Sequence, residues 1–198
     1  MSQGKEIKEI KVEDIKKSAD EKKCPVQRAL FYLEGFLDGP MCGKCFPCEM
    51  GSYEARIRLK DIIEGRGSER DILALRRIAE AMIESSRCKK GKDTANFILD
   101  WMKSGVFDAH VGGSCPDMEC ISFIEYRIIP GKCTMCGVCK DVCKFDAIFG
   151  EKRRPFTGGY APFEIRQKKC VKCGECLKAC PEGAIVLISK MSGSLVGV

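Results

Sequence analysis
Fifteen of the 198 residues are cysteine, and most of them stand two or three residues apart. Thiols that close suit a metal better than a disulfide, whose geometry is awkward across so short a loop. A metal takes cysteine as the thiolate, so runs of this spacing are candidate ligand sets rather than covalent staples. The odd count, and a charged stretch over residues 1–23 without the apolar core of a signal peptide, argue against a secreted disulfide scaffold. The chemistry to expect is that of a reduced, metal-loaded intracellular protein.

Two of the runs are copies of each other. Cys133-Thr-Met-Cys136-Gly-Val-Cys139-Lys-Asp-Val-Cys143 is followed 37 residues later by Cys170-Val-Lys-Cys173-Gly-Glu-Cys176-Leu-Lys-Ala-Cys180, and each continues into Ala-Ile, at Ala147–Ile148 and Ala184–Ile185. Both read C-x2-C-x2-C-x3-C, the bacterial arrangement for two 4Fe-4S clusters in which the fourth cysteine of each run ligates the other cluster. By that rule Cys133, Cys136, Cys139 and Cys180 hold one cluster, and Cys170, Cys173, Cys176 and Cys143 hold the second. Gly137 and Gly174 let the chain pass close to the inorganic core. A zinc module needs only four ligands and gains nothing from the third x2 step. Lys144 stands where proline usually follows the fourth cysteine, a place that Pro181 keeps. That change alters local hydrogen bonding without removing a ligand.

A third set begins with Cys42-Gly-Lys-Cys45-Phe-Pro-Cys48, and the next cysteine is Cys88. Three close thiolates and one distant one again make a four-iron site. The stretch from Met41 to Gly51, a helical region, and a cysteine forty positions on resemble the cluster-binding region of the NADH-binding flavoprotein subunit of respiratory complex I. The sequence is more similar still to the C-terminal part of the beta subunits of NAD(P)-linked, electron-bifurcating iron hydrogenases. Those continue through a Cys-Pro-x3-Cys segment, here Cys115 to Cys120, into a two-cluster ferredoxin domain. The resemblance runs from residue 24 to about 189. It implies three 4Fe-4S clusters and an electron-transfer subunit without activity of its own. The implied partners are a flavin-containing oxidoreductase subunit, a hydrogenase or formate dehydrogenase type subunit, or a soluble ferredoxin. The family's flavin and nicotinamide region precedes this segment, and nothing here resembles it. Gly65-Arg-Gly67 lacks the strand–turn–helix context of a dinucleotide loop. The expectation is the wiring of such an enzyme without its NAD(P)H-oxidising head.

Setting twelve cysteines aside leaves Cys24, Cys115, Cys120 and the single histidine, His110. Three cysteines and a histidine are a standard structural zinc set, and the Cys115–Cys120 step is within zinc-knuckle spacing. The hydrogenase subunits that this sequence resembles carry a comparable zinc site at an inter-domain bridge. Buried or free thiols with a surface histidine, or a 2Fe-2S cluster, remain the alternatives.

The elements that must position these residues are mostly helical. Pro25 suits a first helical position, and Val26, Leu30, Leu33 and Leu37 repeat at helical spacing, so a helix is expected over 25–37 and a stop at Asp38-Gly-Pro40. A second is marked by Ala55, Leu59, Ile62 and Ile63. A third follows Ser68 as N-cap and carries Ile72, Leu75, Ile78, Ala79, Met82 and Ile83. A fourth is expected over 94–104, with Ile98, Trp101 and Met102 inward. The fold class is α+β: a small helical bundle carrying one 4Fe-4S cluster, then a ferredoxin-like domain carrying two. The domains divide as a charged N-terminal extension (1–23) that packs on something, a partner being one candidate, the bundle (24–106), a linker with the zinc site (107–130), the ferredoxin domain (131–190) and a tail (191–198). The spacer from Gly150 to Lys169 reads as a loop-rich insertion.

The formal charge of +6 treats every cysteine as neutral. Three oxidised cubanes on twelve thiolates add about −6, and zinc on three thiolates about −1, leaving about −1 for the loaded protein. The basicity is thus mostly compensation for cofactors, and a nucleic-acid partner is not expected. The stretches Lys152–Arg154 and Arg166–Lys169 are solvated faces or docking patches for an acidic partner. The longest apolar run, Ala184 to Ile188, is too short for a membrane span. These features lead to an oxygen-sensitive, cytoplasmic electron-transfer subunit. The competing readings are a free-standing polyferredoxin, for which the bundle would be superfluous, and a metal-stabilised interaction module. Glu49 stands where the resembling families usually carry arginine, and Cys88 is followed by Lys89-Lys90 instead of an apolar-glycine step. A carboxylate in place of a guanidinium makes the upstream cluster harder to reduce. A redox titration is expected to place its potential below that of arginine-bearing relatives; an equal or higher potential would contradict this.

Overall fold
The computed structural model describes residues 11–153 and 161–190, so Ile7, Ile10, Arg154, Pro155, Gly158, Gly159 and the tail lie outside the described residues. The chain forms two compact units, Met1–Ser122 and Phe123–Val198. Together they make a helix-rich α+β protein with two small sheets among the described residues.

Among the described residues, six α-helices build the first unit: α1 (Val12–Asp20), α2 (Pro25–Asp38), α3 (Phe46–Ile63), α4 (Glu69–Ser85), α5 (Lys89–Met102) and α6 (Val106–Val111). Helix α2 packs on α1, α3 and α5, α4 lies between α3 and α5, and α6 touches α2, α3 and α4. Tyr32, Leu33, Phe36, Leu59, Leu75 and Met82 fill the centre. Ser68 caps α4 as expected: its backbone N–H donates to Asp71 at 2.8 Å, and Arg58 on α3 donates to the same carboxylate at 2.6 Å. Hydrogen bonds from Ser68 and Arg58 outweigh partial burial and hold the Asp71 pKa below the usual carboxylate range.

Several elements differ from what periodicity implied. Within the stretch read as an extension, α1 buries Val12, Ile15 and Ala19, and it packs on α2 of this same chain. A Cβ added at Gly35 would lie 2.9 Å from the Ile15 side chain, so the glycine admits α1 closely. The buried face of α2 is Val26, Ala29, Tyr32, Leu33 and Phe36, while Leu30 and Leu37 are only half-buried. Aromatic bulk decides this rotation: Tyr32 stacks with Phe36 at 6.3 Å and meets the edges of Phe97 and Trp101 at 5.4 and 5.8 Å. Helix α5 starts at Lys89 rather than at 94, because its first turn is Lys-Lys-Gly-Lys and carries no apolar repeat. The Thr94 hydroxyl donates to the Lys90 carbonyl at 2.8 Å, so the Tyr32 hydroxyl, 3.1 Å away, donates to Thr94. This chain fixes the start of α5 against α2.

The second unit pairs β1 (Ile124–Ile128) antiparallel with β4 (Ile185–Ser189), Tyr126 opposite Leu187, and β2 (Ile148–Phe149) with β3 (Glu164–Ile165). Strand β1 lies in the stretch read as linker; its alternation Ile-Glu-Tyr-Arg-Ile is the unused signal. Short helices α7 (Val138–Asp141) and α8 (Glu175–Ala179) follow Gly137 and Gly174. The repeat is visible in the backbone, since Met135/Lys172, Gly137/Gly174 and Asp146/Gly183 all have positive φ. Each pair is 37 residues apart.

Ile15→Asp would put a carboxylate into the α1–α2 seam. Amide exchange across Val12–Asp20 is expected to accelerate about ten-fold or more while α4 stays protected. Unchanged protection of α1 would show that this seam does not hold it.

Candidate metal centres
In the first unit, Cys42, Cys45, Cys48 and Cys88 line one pocket of about 260 Å³, together with Phe36, Lys44, Glu49 and Lys90. Two helix starts supply it: Cys45 is the N-cap of α3 and Cys88 the N-cap of α5. The positive ends of both helices therefore face a cluster of thiols, which favours the ionised form. Cys48, buried in the first turn of α3, feels the opposite pressure. Burial first, then the negative charge of Cys45, Cys88 and Cys42, pushes its thiol up to about 12. Four thiolates can share this pocket only with a cation among them.

The surroundings suit a compact inorganic group. A Cβ at Gly91 would stand 3.1 Å from the Cys48 sulfur and 2.8 Å from the Ser86 hydroxyl. Ser86 is only 4% exposed, and its hydroxyl has no hydrogen-bond partner. A buried hydroxyl left unpaired beside a thiol pocket is a donor waiting for an acceptor such as a sulfide. Glu49 also lines this pocket, with its carboxylate 3.9 Å from the Cβ position of Gly43.

The second unit sorts its eight cysteines into two pockets. Cys133, Cys136, Cys139 and Cys180 line one of about 320 Å³. Cys143, Cys170, Cys173 and Cys176 line the other, of about 350 Å³. The fourth cysteine of each run thus sits with the first three of the other run. Two backbone amides repeat the relation: Ala147 N–H donates to Cys143 sulfur at 3.4 Å and Ala184 N–H to Cys180 sulfur at 3.3 Å. Positive φ at Gly137 (+82°) and Gly174 (+78°) turns the chain after the second cysteine of each run. Cys139 and Cys176 share one small core with Tyr126, Ile148, Phe163 and Ile185. Burial, with the charges of Cys133 and Cys136 adding and the Lys140 amide opposing, pushes the Cys139 thiol up to about 11. Cys176 is raised for the same reasons, burial first and Cys170 next.

The remaining candidates converge as well. The ligand atoms of Cys24, His110, Cys115 and Cys120, all buried, lie within 4.8 Å of one another. His110 Nε2 is 3.5 Å from the Cys24 sulfur and 3.2 Å from that of Cys120, and the two sulfurs are 3.7 Å apart. A tetrahedron with metal–ligand bonds of about 2.0–2.3 Å has edges of about 3.3–3.8 Å, which these separations match. His110 Nδ1 lies 2.8 Å from the Val106 carbonyl, which can only accept. The other ring nitrogen is then left to face the sulfurs, the usual setting of a metal-bound imidazole. Burial opposes charge on this ring, but the thiols of Cys115 and Cys24 and the Val106 carbonyl prevail and push its pKa up to about 10. Contacts with Cys120 and Cys24 push the Cys115 thiol pKa down, and contacts with Cys115 and Cys24 push that of Cys120 up.

An outer layer of this set was not legible in the sequence. Glu119 accepts from the Cys24 amide at 2.6 Å, and Gln27 donates to the Cys120 sulfur at 3.5 Å. Their types are too common to single out, although Glu119 lies within the Cys115–Cys120 loop.

Comparison with known proteins agrees with this division. Residues 28–108 match the NADH-ubiquinone oxidoreductase-F iron-sulfur binding region, and residues 132–184 match the 4Fe-4S dicluster domain. The chain is 36% identical over 139 residues, 69% of its length, to the NADP-reducing hydrogenase subunit HndC of Solidesulfovibrio fructosivorans. It is 33% identical over 100 residues to the F-type subunit of the NADH-quinone oxidoreductase of Mycobacterium tuberculosis. Over 66 residues it is 33% identical to the NADP(+)-dependent formate dehydrogenase subunit beta of Moorella thermoacetica. The matched stretches span 28%, 22% and 9% of those relatives. No helix among the described residues is long and apolar enough to cross a membrane.

Gly91→Ala would press a methyl between Ser86 and Cys48. Iron retained after anaerobic purification is expected to fall below that of the unaltered chain. Full iron content would show that the pocket tolerates the methyl.

Proposed function
We propose that this chain, which joins an NADH-ubiquinone oxidoreductase-F iron-sulfur binding region to a 4Fe-4S dicluster domain, is an electron-relay subunit of a flavin- or NAD(P)H-linked oxidoreductase complex. In this reading it holds three 4Fe-4S clusters: one on Cys42, Cys45, Cys48 and Cys88, one on Cys133, Cys136, Cys139 and Cys180, and one on Cys143, Cys170, Cys173 and Cys176. Cys24, His110, Cys115 and Cys120 hold a zinc ion. The observation that carries the reading is the sorting of twelve cysteines into three four-thiol pockets, one in the first unit and two sharing a core in the second.

A bound cubane supplies a one-electron couple; the polypeptide sets its surroundings. Thiolates of each quartet would hold the irons, and the amides of Ala147 and Ala184, which donate to the Cys143 and Cys180 sulfurs, would offset charge there. Buried apolar neighbours, Ile148, Phe163 and Ile185 in the second unit, keep water from the inner sides of the two pockets. Cys24 before α2, His110 on α6 and Cys115 and Cys120 in the following loop would hold the zinc ion, which would supply a structural tie for α2 and no redox chemistry. Neighbouring chains would bear flavin, hydrogenase or formate dehydrogenase chemistry, and bifurcation, where it occurs, would lie with them.

The anaerobic chain is expected to bleach with dithionite and not with NADH in the absence of a partner; bleaching by NADH alone would overturn the relay assignment. Cys180→Ser is expected to change the paramagnetic spectrum in the same way as Cys133→Ser, and Cys143→Ser in the same way as Cys170→Ser. A pairing of Cys180→Ser with Cys170→Ser would exclude the crossed ligation. Cys115→Ser is expected to remove zinc and lower the melting temperature by several degrees with iron retained. Zinc below half an equivalent in the unaltered chain would exclude the zinc site.

A further inference from the structure
We propose that the surface of the first unit around Cys42 and Cys88 is the docking face for an acidic one-electron carrier protein. The inference rests on the reading that these two cysteines belong to a redox cluster, and it names what meets that cluster.

Both cysteines are exposed, whereas Cys48 of the same pocket is buried. This is therefore the side on which the pocket comes nearest to solvent, and electron exchange with another protein is fastest where the separation is least. Cations surround it. Lys44 and Lys90 line the pocket, and Arg87, Lys89 and Lys92 flank Cys88 in the chain, all of them exposed. No acid occurs from Arg87 to Lys92, and Glu49 is the one carboxylate lining the pocket. An oxidised four-thiolate cubane carries about −2, so Lys44, Arg87, Lys89 and Lys92, set against Glu49, still exceed what the cluster itself requires. The excess steers a negatively charged partner to this edge.

An apolar strip begins at the same place. Phe46, directly after Cys45, is 75% exposed, and Met50, Tyr53 and Ile57 follow it on α3 as exposed side chains. Steps of four, three and four residues put them on one face of the helix. A patch of aromatic and methionine side chains beside a charged rim is the composition of a protein–protein interface, not of an ordinary solvated helix. The rim fixes the sign of the partner: acidic around an apolar centre. In the docked pair one electron passes between the two centres; one is reduced as the other is oxidised, and no bond or proton changes.

The test uses the full chain with its metals in place, held anaerobically, and an acidic plant-type 2Fe-2S ferredoxin as the probe. Binding is expected at about 20 mM salt and to fade towards about 300 mM, where the screening length is about 6 Å. Arg87→Glu with Lys89→Glu is expected to weaken binding about ten-fold or more at low salt. Arg76→Glu with Arg77→Glu makes the same charge change near the middle of α4, about 15 Å along the chain from Ser86, and is expected to cost less than about three-fold. Phe46→Ser is expected to weaken binding while leaving the salt dependence unaltered. No binding at low salt, binding indifferent to salt, equal loss in both double variants, or pairing of two copies of the chain in place of the ferredoxin would each overturn the proposal. Iron content is measured throughout. Iron missing from the unaltered chain would count against the cluster itself, whereas full iron without binding counts against the docking face alone.

Discussion
Thiolates repel one another, and the repulsion grows as water is withdrawn. Cys48, Cys139 and Cys176 show the effect, each being driven towards the neutral thiol by burial and by the cysteines beside it. A pocket of four such groups is stable only around a cation, and the rest of the architecture follows from that need. Helices α3 and α5 begin at cysteines of one pocket, so their positive ends meet its thiols. Lysines border the same pocket. In the second unit, amides of Ala147 and Ala184 point at the two crossing sulfurs. The fourth site obeys the same logic on a smaller scale, with three sulfurs and one imidazole nitrogen within 4.8 Å of one another and a backbone carbonyl fixing the ring.

Each unit solves the positioning problem differently. In the second, duplication supplies the geometry. The same left-handed residues recur after 37 positions, and the exchange of the fourth cysteine closes two pockets around one core. In the first, cysteines distant in sequence meet because helices bring them together. The Tyr32–Thr94–Lys90 chain sets the start of α5 relative to α2, and Cys88 stands immediately before that start. Packing of aromatic side chains thus becomes part of the ligand geometry.

The grouping of the candidate ligands was more legible in the sequence than the scaffold was. Regular cysteine spacing is a signal of chemistry and needs no knowledge of packing, so the runs at Cys42–Cys48, Cys133–Cys143 and Cys170–Cys180 stand out in the sequence, whereas Cys24, Cys88 and His110 join their sets only as the residues left over. Apolar periodicity was a weaker guide. It put Leu30 and Leu37 on the repeat of α2, where Tyr32 and Phe36 take the interior because of their size. It missed α1, whose few apolar residues alternate with lysines and acids, and it started α5 late because a lysine-rich turn has no apolar face. Glu119, Gln27 and Ser86 act through distance and burial alone, properties that residue type does not carry. The strand partner of β4 lay in plain alternation at Ile124–Ile128, overlooked because the cysteine motif begins only at Cys133.

The account stands on metal content held in defined sets. Native mass spectrometry of the chain, purified without oxygen from its own host, weighs that content directly. The mass is expected to exceed that of the polypeptide by three four-iron, four-sulfide cores and one zinc ion, with loss of whole cores on mild oxidation. A chain carrying zinc in place of the cubanes, or no metal at all, would contradict it.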